Sequence, residues 1–304
     1  MNPFGWATAC IPLLFTFLAW SGGEWAALIV FVGFNLLLNL PHQYATWRRV
    51  VAEHRLDRRL LVPALLVVGM GMVIACCPLS VQAVILGDVF LYWGIHHLAG
   101  QNLGITRMLG ATRGCRWHDR IFHAGWAVFL IGWLHLMTPM SYQILDNDIS
   151  LGHLPLTRDL RLVLGCVLVL LGVGLPLWRL MRWRAAPAAL ASFEIGVLLS
   201  TIAALAAPSL LVSVAGLTAV HNFHYLGLVR GQQAGWGRPL RWTDGVLAAV
   251  YAGVIASIYV TLPALGPLLF AMLVALHYLV DARIWHPARD SRLAHSLTSL
   301  RVAT

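Results

Sequence analysis

The sequence predicts an all-α protein, a polytopic integral-membrane helical bundle of about ten transmembrane helices. Three observations predict it. Of 304 residues, 59% are hydrophobic and only 11% are charged, with a mean hydropathy of +0.76, too apolar a balance for a soluble domain. Apolar runs of roughly spanning length recur at 5–22, 25–43, 60–78, 82–104, 120–138, 160–180, 187–206, 208–229, 244–262 and 265–285. The positive charge is carried by arginine alone, and it gathers after every second run.

That gathering sets an orientation. Arg48, Arg49, Arg55, Arg58 and Arg59 follow the second run, and Arg107, Arg113, Arg116 and Arg120 follow the fourth. Arg179, Arg182 and Arg184 follow the sixth, Arg230, Arg238 and Arg241 the eighth, and Arg283, Arg289, Arg292 and Arg301 the tenth. The positive-inside rule then places these ends and both termini in the cytoplasm, as for a bacterial inner-membrane protein. The long connection on the opposite side, 138–160, carries Asp146, Asp148 and Asp159 against a single Arg158. The net charge of +9 is orientation charge and calls for no nucleic-acid partner. Cys10, Cys76, Cys77, Cys115 and Cys166 lack the spacing of a zinc or disulfide framework and read as small apolar fillers.

Taken in order, the first run lacks a basic leader and reads as a retained helix. The second carries Asn35, Asn39, His42 and Thr46 at spacings that define one polar stripe, with Pro41 expected to bend it. The third reads as packing. The fourth holds Asp88, His96, His97, Gln101 and Asn102, with His97 and Gln101 one turn apart on a shared face. His118 and His123 open the fifth run, with His135 at its far end, and His153 follows in the connection. A helix rises only about 1.5 Å per residue, so His135 cannot reach a site at the depth of His123. The sixth ends in the interfacial anchor WRLMRWR. Glu194 is an intramembrane acid in the seventh, a functional candidate by default. The eighth ends with His221, His224 and Tyr225, the ninth supplies Tyr251, and the tenth places His277 four residues before Asp281. His54, His286 and His295 fall in polar segments and read as solvated.

Four runs pointing in one direction thus carry histidine within about two turns of their cytoplasmic ends. His42, His96, His97, His221, His224 and His277 with Asp281, joined by His123 and Glu194, offer enough ligands for two metal ions. Imidazole and carboxylate together suit iron, with zinc and copper as alternatives. Single histidines at helix ends also favour the negative pole of the helix dipole, which accounts for one or two of them but not for all. The chain reads as one transmembrane domain, 1–304. Within it 1–110 and 186–290 read as parallel repeats, since His42 to His97 and His221 to His277 follow the same path.

At H-x3-Q-x2-G (His97, Gln101, Gly104) and H-Y-x2-D-x-x-I-W (His277, Tyr278, Asp281, Ile284, Trp285) the chain resembles a group of uncharacterised bacterial polytopic His-rich membrane proteins. In general plan it is similar to the membrane non-haem iron oxygenases, although the HxxxH and HxxHH boxes of the desaturases are absent. The resemblance implies a di-iron oxidoreductase that uses O2 on a lipophilic substrate, with electrons from a separate donor protein. His42, His96, His97, His123, His221, His224, His277 and Asp281 would hold the metal. Asp281 and Glu194 would handle protons, and Gln101 and Tyr225 would orient ligands through hydrogen bonds. A haem protein with axial histidines and a metal- or proton-coupled transporter are the alternatives.

Overall fold

The computed structural model describes residues 3–52, 58–78, 81–82, 85, 90–110, 116–137, 140–144, 147–151, 156–181, 188–208, 210–235, 241–262 and 265–284. Asp88, Cys115, Asp146, His54, His153, Trp285, His286 and His295 lie outside them. The described chain is helical apart from one hairpin. In order come α1 (Pro3–Phe34), a π-helical turn (Asn35–Asn39), α2 (Leu40–Ala52), α3 (Arg58–Ala75), α4 (Phe90–Gly110) and α5 (Arg116–Met137). The hairpin of β1 (Met140–Ile144) and β2 (Asn147–Leu151) follows, then α6 (Arg158–Met181), α7 (Ala188–Leu205), α8 (Leu210–Gly235), α9 (Trp242–Thr261) and α10 (Gly266–Ile284).

Each apolar run falls on a helix. The first run and the start of the second share the hydrogen-bonded length of α1, which breaks at Gly23 with φ 65° and ψ −151°, and the second continues through the π-turn into α2. Only glycine takes that backbone region without a steric penalty, so this residue permits the chain to change direction between the two runs. Trp6–Gly23, Trp25–Val51 and Arg158–Arg179 are long and apolar enough to cross a membrane, and Leu61–Ala75, Leu190–Leu205, Trp242–Ile258 and Leu268–Asp281 are shorter apolar helices.

Three details depart from the sequence expectation. Helix α4 continues to Gly110 and α8 to Gly235, because hydropathy marks only the apolar stretch whereas residues such as Arg107 and Gln232 are compatible with helix beyond it. The connection expected at 138–160 contains antiparallel β1 and β2, in register with Tyr142 opposite Ile149. The bend expected at Pro41 takes the form of the π-turn just before it. Proline has no N–H for the carbonyl four residues back, and its ring crowds that carbonyl, so the chain widens by one residue there.

The chain divides into two compact units. The first comprises 1–6 and 78–195, hence α4, α5, the hairpin, α6 and the start of α7. Its closest packing is between α5 and α6, where glycines let two backbones meet: a Cβ on Gly132 would stand 2.7 Å from the Val169 nitrogen, and one on Gly125 would stand 2.6 Å from Pro176 Cδ. The second comprises 7–77 and 196–304, which brings most of α1, α2 and α3 together with the end of α7 and with α8, α9 and α10. Phe34 packs there on Ala215 and Ala219, flanked by Ile11, Phe15, Phe31 and Leu38. Helix α2 lies against α8, α9 and α10 and is the element around which the second unit's polar side chains assemble.

Candidate metal centre

Three helices of the second unit each present a polar pair one turn apart: His42 and Thr46 on α2, His221 and Tyr225 on α8, His277 and Asp281 on α10. Spacing of four residues puts both members of a pair on one face, so three such faces turned together make two stacked layers. The structure turns them together. His42, His221, His277 and Asp281 each offer one ligand atom, and all four atoms lie within 4.8 Å of one another. The four residues are between 1% and 4% exposed, so the group is sealed from solvent.

His42 is central. Its Nε2 is 3.3 Å from His221 Nε2 and 3.9 Å from Asp281 Oδ2, and His277 Nε2 is 3.5 Å from the same carboxylate oxygen. Ligand atoms about 2.0–2.1 Å from a shared tetrahedral ion stand about 3.3–3.4 Å apart. The separations of 3.3, 3.5 and 3.9 Å lie at or above that edge and the group as a whole spreads to 4.8 Å, so the side chains would draw inward on a bound ion. The donor set, three imidazoles and one carboxylate with no thiolate, is of the kind taken by zinc, iron and copper. These residues therefore fit a metal ion.

The second layer holds the first in position. Thr46 Oγ1 donates to Asp281 Oδ1 at 3.0 Å and lies 2.6 Å from the Tyr225 hydroxyl. A hydroxyl has one proton to give, and Asp281 Oδ1 at 3.0 Å is nearer to Thr46 than the His42 carbonyl at 3.4 Å, so Tyr225 donates to Thr46 and Thr46 donates to Asp281. One carboxylate oxygen is thereby engaged, and Oδ2 faces the histidines. The Tyr225 ring also meets His42 edge to face, with centroids 4.0 Å apart, and limits rotation of that imidazole.

Replacing Thr46 by valine keeps the shape and removes the hydroxyl. The expected result is metal affinity lower by about 10–100-fold, the usual cost of losing an outer hydrogen-bond partner. Thr46→Ser should retain most of the affinity, and Tyr225→Phe should show a smaller loss; competition titration with a chelator measures all three. Equal affinity for Thr46→Val and the parent would show that the hydroxyl does not orient Asp281.

The remaining candidate ligands are not in this group. His224 is fully buried but turns toward α1, where its Nε2 is 2.9 Å from Thr8 Oγ1, and it is not in the four-residue group. His96, His97, Gln101, His123 and Glu194 belong to the first unit. His96 is exposed and His97 half-buried, while His123 is hydrogen-bonded with Thr106 at 2.7 Å. Among the described residues one close group, suited to one ion, is found, and His224 is not in it. Depth along a helix follows from sequence, but the direction in which a side chain points around the axis does not.

The polar stripe expected on the second run also divides. Asn35, Asn39 and Gln43 form a ladder, Asn39 Nδ2 donating to Asn35 Oδ1 at 2.8 Å and Gln43 Nε2 to Asn39 Oδ1 at 3.4 Å. Tyr251 closes it by donating to Gln43 Oε1 at 3.3 Å. His42 and Thr46 instead face the metal group. His42 and Gln43 are consecutive residues of α2 and so point about 100° apart around its axis, which sends Gln43 to the asparagines and His42 to the metal group. Thr46 itself was legible as the partner of His42 at spacing four, the signal that also marks His221 with Tyr225 and His277 with Asp281.

Compared with models of known families, with curated proteins and with solved structures, the chain finds no match. The likeness to His-rich bacterial membrane proteins stands on its two short motifs alone. Of these, His277 and Asp281 fall within the four-residue group, and His97 and Gln101 do not.

Proposed function

We propose that this protein is a polytopic inner-membrane metalloprotein, with both termini cytoplasmic, that uses one redox-active metal ion, iron in the leading reading, for oxidative chemistry with O2 on a lipophilic substrate. The observation that carries the proposal is the convergence of three imidazoles and one carboxylate, all nearly unexposed, within 4.8 Å. Membrane residence is supported by the three helical stretches of spanning length. It is supported again by the large apolar side chains left exposed along α3 and α6, such as Leu65, Val73 and Leu170 at 60%, 67% and 73%, a pattern that lipid accommodates and water penalises.

A bound iron would supply one-electron chemistry toward O2 that no side chain provides. The chain's own residues do the rest. His42, His221, His277 and Oδ2 of Asp281 would hold the ion, with Thr46 and Tyr225 orienting the carboxylate. Val50, Val280 and Trp47 pack together on α2 and α10, beyond Thr46 and beside Asp281, and help to keep water out. No flavin or iron–sulfur motif is evident in the sequence, so the reducing electrons are assigned to a separate donor protein. A haem held axially between His42 and His277 is disfavoured, because their rings meet edge to face with centroids 4.4 Å apart.

Elemental analysis with an optical spectrum of the detergent-purified full chain tests the reading. About one iron per chain without a Soret band, together with O2 consumption in the presence of a reductant, is the expected outcome. Stoichiometric zinc would retain the site and replace the redox reading with a hydrolytic or structural one. Protein that stays metal-free when iron, zinc and copper are each supplied would overturn both.

A further inference from the structure

The first unit contains a buried polar cluster to which the metal centre assigns no role. Glu194, near the start of α7, has no exposed surface, and neither carboxyl oxygen makes a hydrogen bond to any described residue. It lies within electrostatic reach of Arg179 on α6 and Asp119 on α5. Those two are paired at 3.5 Å, with both side chains buried. One turn along α5 from Asp119, His123 is 1% exposed. Its Nε2 is bonded with Thr106 of α4, its Nδ1 has no hydrogen-bond partner among the described residues, and it feels both Arg107 and Arg179. Four helices therefore contribute buried members to this cluster, Thr106 from α4, Asp119 and His123 from α5, Arg179 from α6 and Glu194 from α7, while Arg107 stands exposed at its edge.

The charge arithmetic singles out Glu194. Arg179 is already answered by Asp119, so an ionised Glu194 would add a second negative charge in a dry place with no donor to solvate it. Binding a metal cation would also remove that charge. However, among the described residues the close ligand group lies in the second unit, and Asp119, His123 and Glu194 do not form one. A proton is the cation that needs no ligand shell. We propose that Glu194 is a proton-binding site of the first unit, taking up and releasing a proton beside the fixed Asp119–Arg179 pair. On release the O–H bond breaks, the proton passes to the medium, and the electron pair stays on the carboxylate, within electrostatic reach of Arg179. Acids so placed in membrane proteins are the usual carriers of proton relays. The inference is independent of the metal reading and survives its failure.

Infrared spectroscopy of the full chain in lipid nanodiscs tests it. The sequence has three glutamates, Glu24, Glu53 and Glu194, so carbon-13 glutamate labelling of a Glu24→Gln, Glu53→Gln variant leaves Glu194 as the one labelled carboxyl. The expected result is a protonated-carboxyl band that moves on labelling, moves again in D2O, and fades as the pH rises. In the otherwise native chain, Glu194→Gln should abolish that band. Absence of a labelled protonated-carboxyl band at every pH at which the protein stays folded would overturn the proposal. So would a band that neither exchanges in D2O nor changes with pH, since it would mark a locked structural acid. The labelled variant leaves Glu194 intact, so the decision does not depend on Glu194→Gln folding.

Discussion

His277→Ala is expected to strip the metal from the second unit, lowering affinity by about 100-fold or more, because it removes a direct ligand rather than an outer partner. His42→Ala should lose as much, since His42 stands between His221, at 3.3 Å, and Asp281, at 3.9 Å. Asp281→Asn should weaken binding too, by withdrawing the one negative charge among the four ligands. His224→Ala is the informative control. It deletes an equally buried imidazole three residues from His221, but that ring is bonded toward Thr8. It should leave metal content unchanged while lowering thermal stability. Metal per chain by elemental analysis, read beside melting midpoints with and without added metal, separates the two effects, because an ion that binds only the folded state raises the midpoint. Retention of full metal content by His277→Ala would remove the basis of the metal centre.

Gly132→Leu is expected to disrupt the first unit. A side chain there would begin 2.7 Å from the Val169 backbone nitrogen and 2.9 Å from the Gly165 carbonyl oxygen. Backbone cannot swing aside as a flexible side chain can, so α5 and α6 must separate. Overpacking commonly costs about 1–3 kcal/mol, and a backbone-limited site should fall at or above the upper end. The expected measurement is a melting midpoint lower by several degrees, or loss of the monodisperse species in detergent. Gly174→Leu, on the same helix as Gly165 but with open space around its would-be Cβ, should be tolerated. Equal behaviour of the two variants would show that close approach of α5 and α6 is not what Gly132 serves. Gly71 offers a milder contrast, because the three atoms nearest a Cβ there all belong to the movable Met272 side chain.

Much of the metal centre was legible before folding. Three helices with a polar pair at spacing four inside apolar sequence, His42/Thr46, His221/Tyr225 and His277/Asp281, are hard to explain by packing, and all six residues meet in the structure. The motif of His97 and Gln101 carried an equally strong local signal, yet those residues lie in the first unit. His224 shows the same limit within a single helix. It matches His221 in depth and chemistry, but three residues of rotation direct it toward Thr8.

The sequence by itself determined which segments are helical and how far along each helix a polar group lies. Both follow from local free energies: transfer of apolar side chains and satisfaction of backbone hydrogen bonds within each segment. Only the tertiary structure decided which polar faces meet. That choice depends on how each helix is rotated, which within α2 gives Gln43 to the Asn35–Asn39 ladder and the neighbouring His42, with Thr46, to the face shared with α8 and α10, and on close approach at Gly132 and Gly125, which sets α5 against α6. Rotation about a helix axis is set by long-range side-chain packing, and no window along the chain contains the partners that set it.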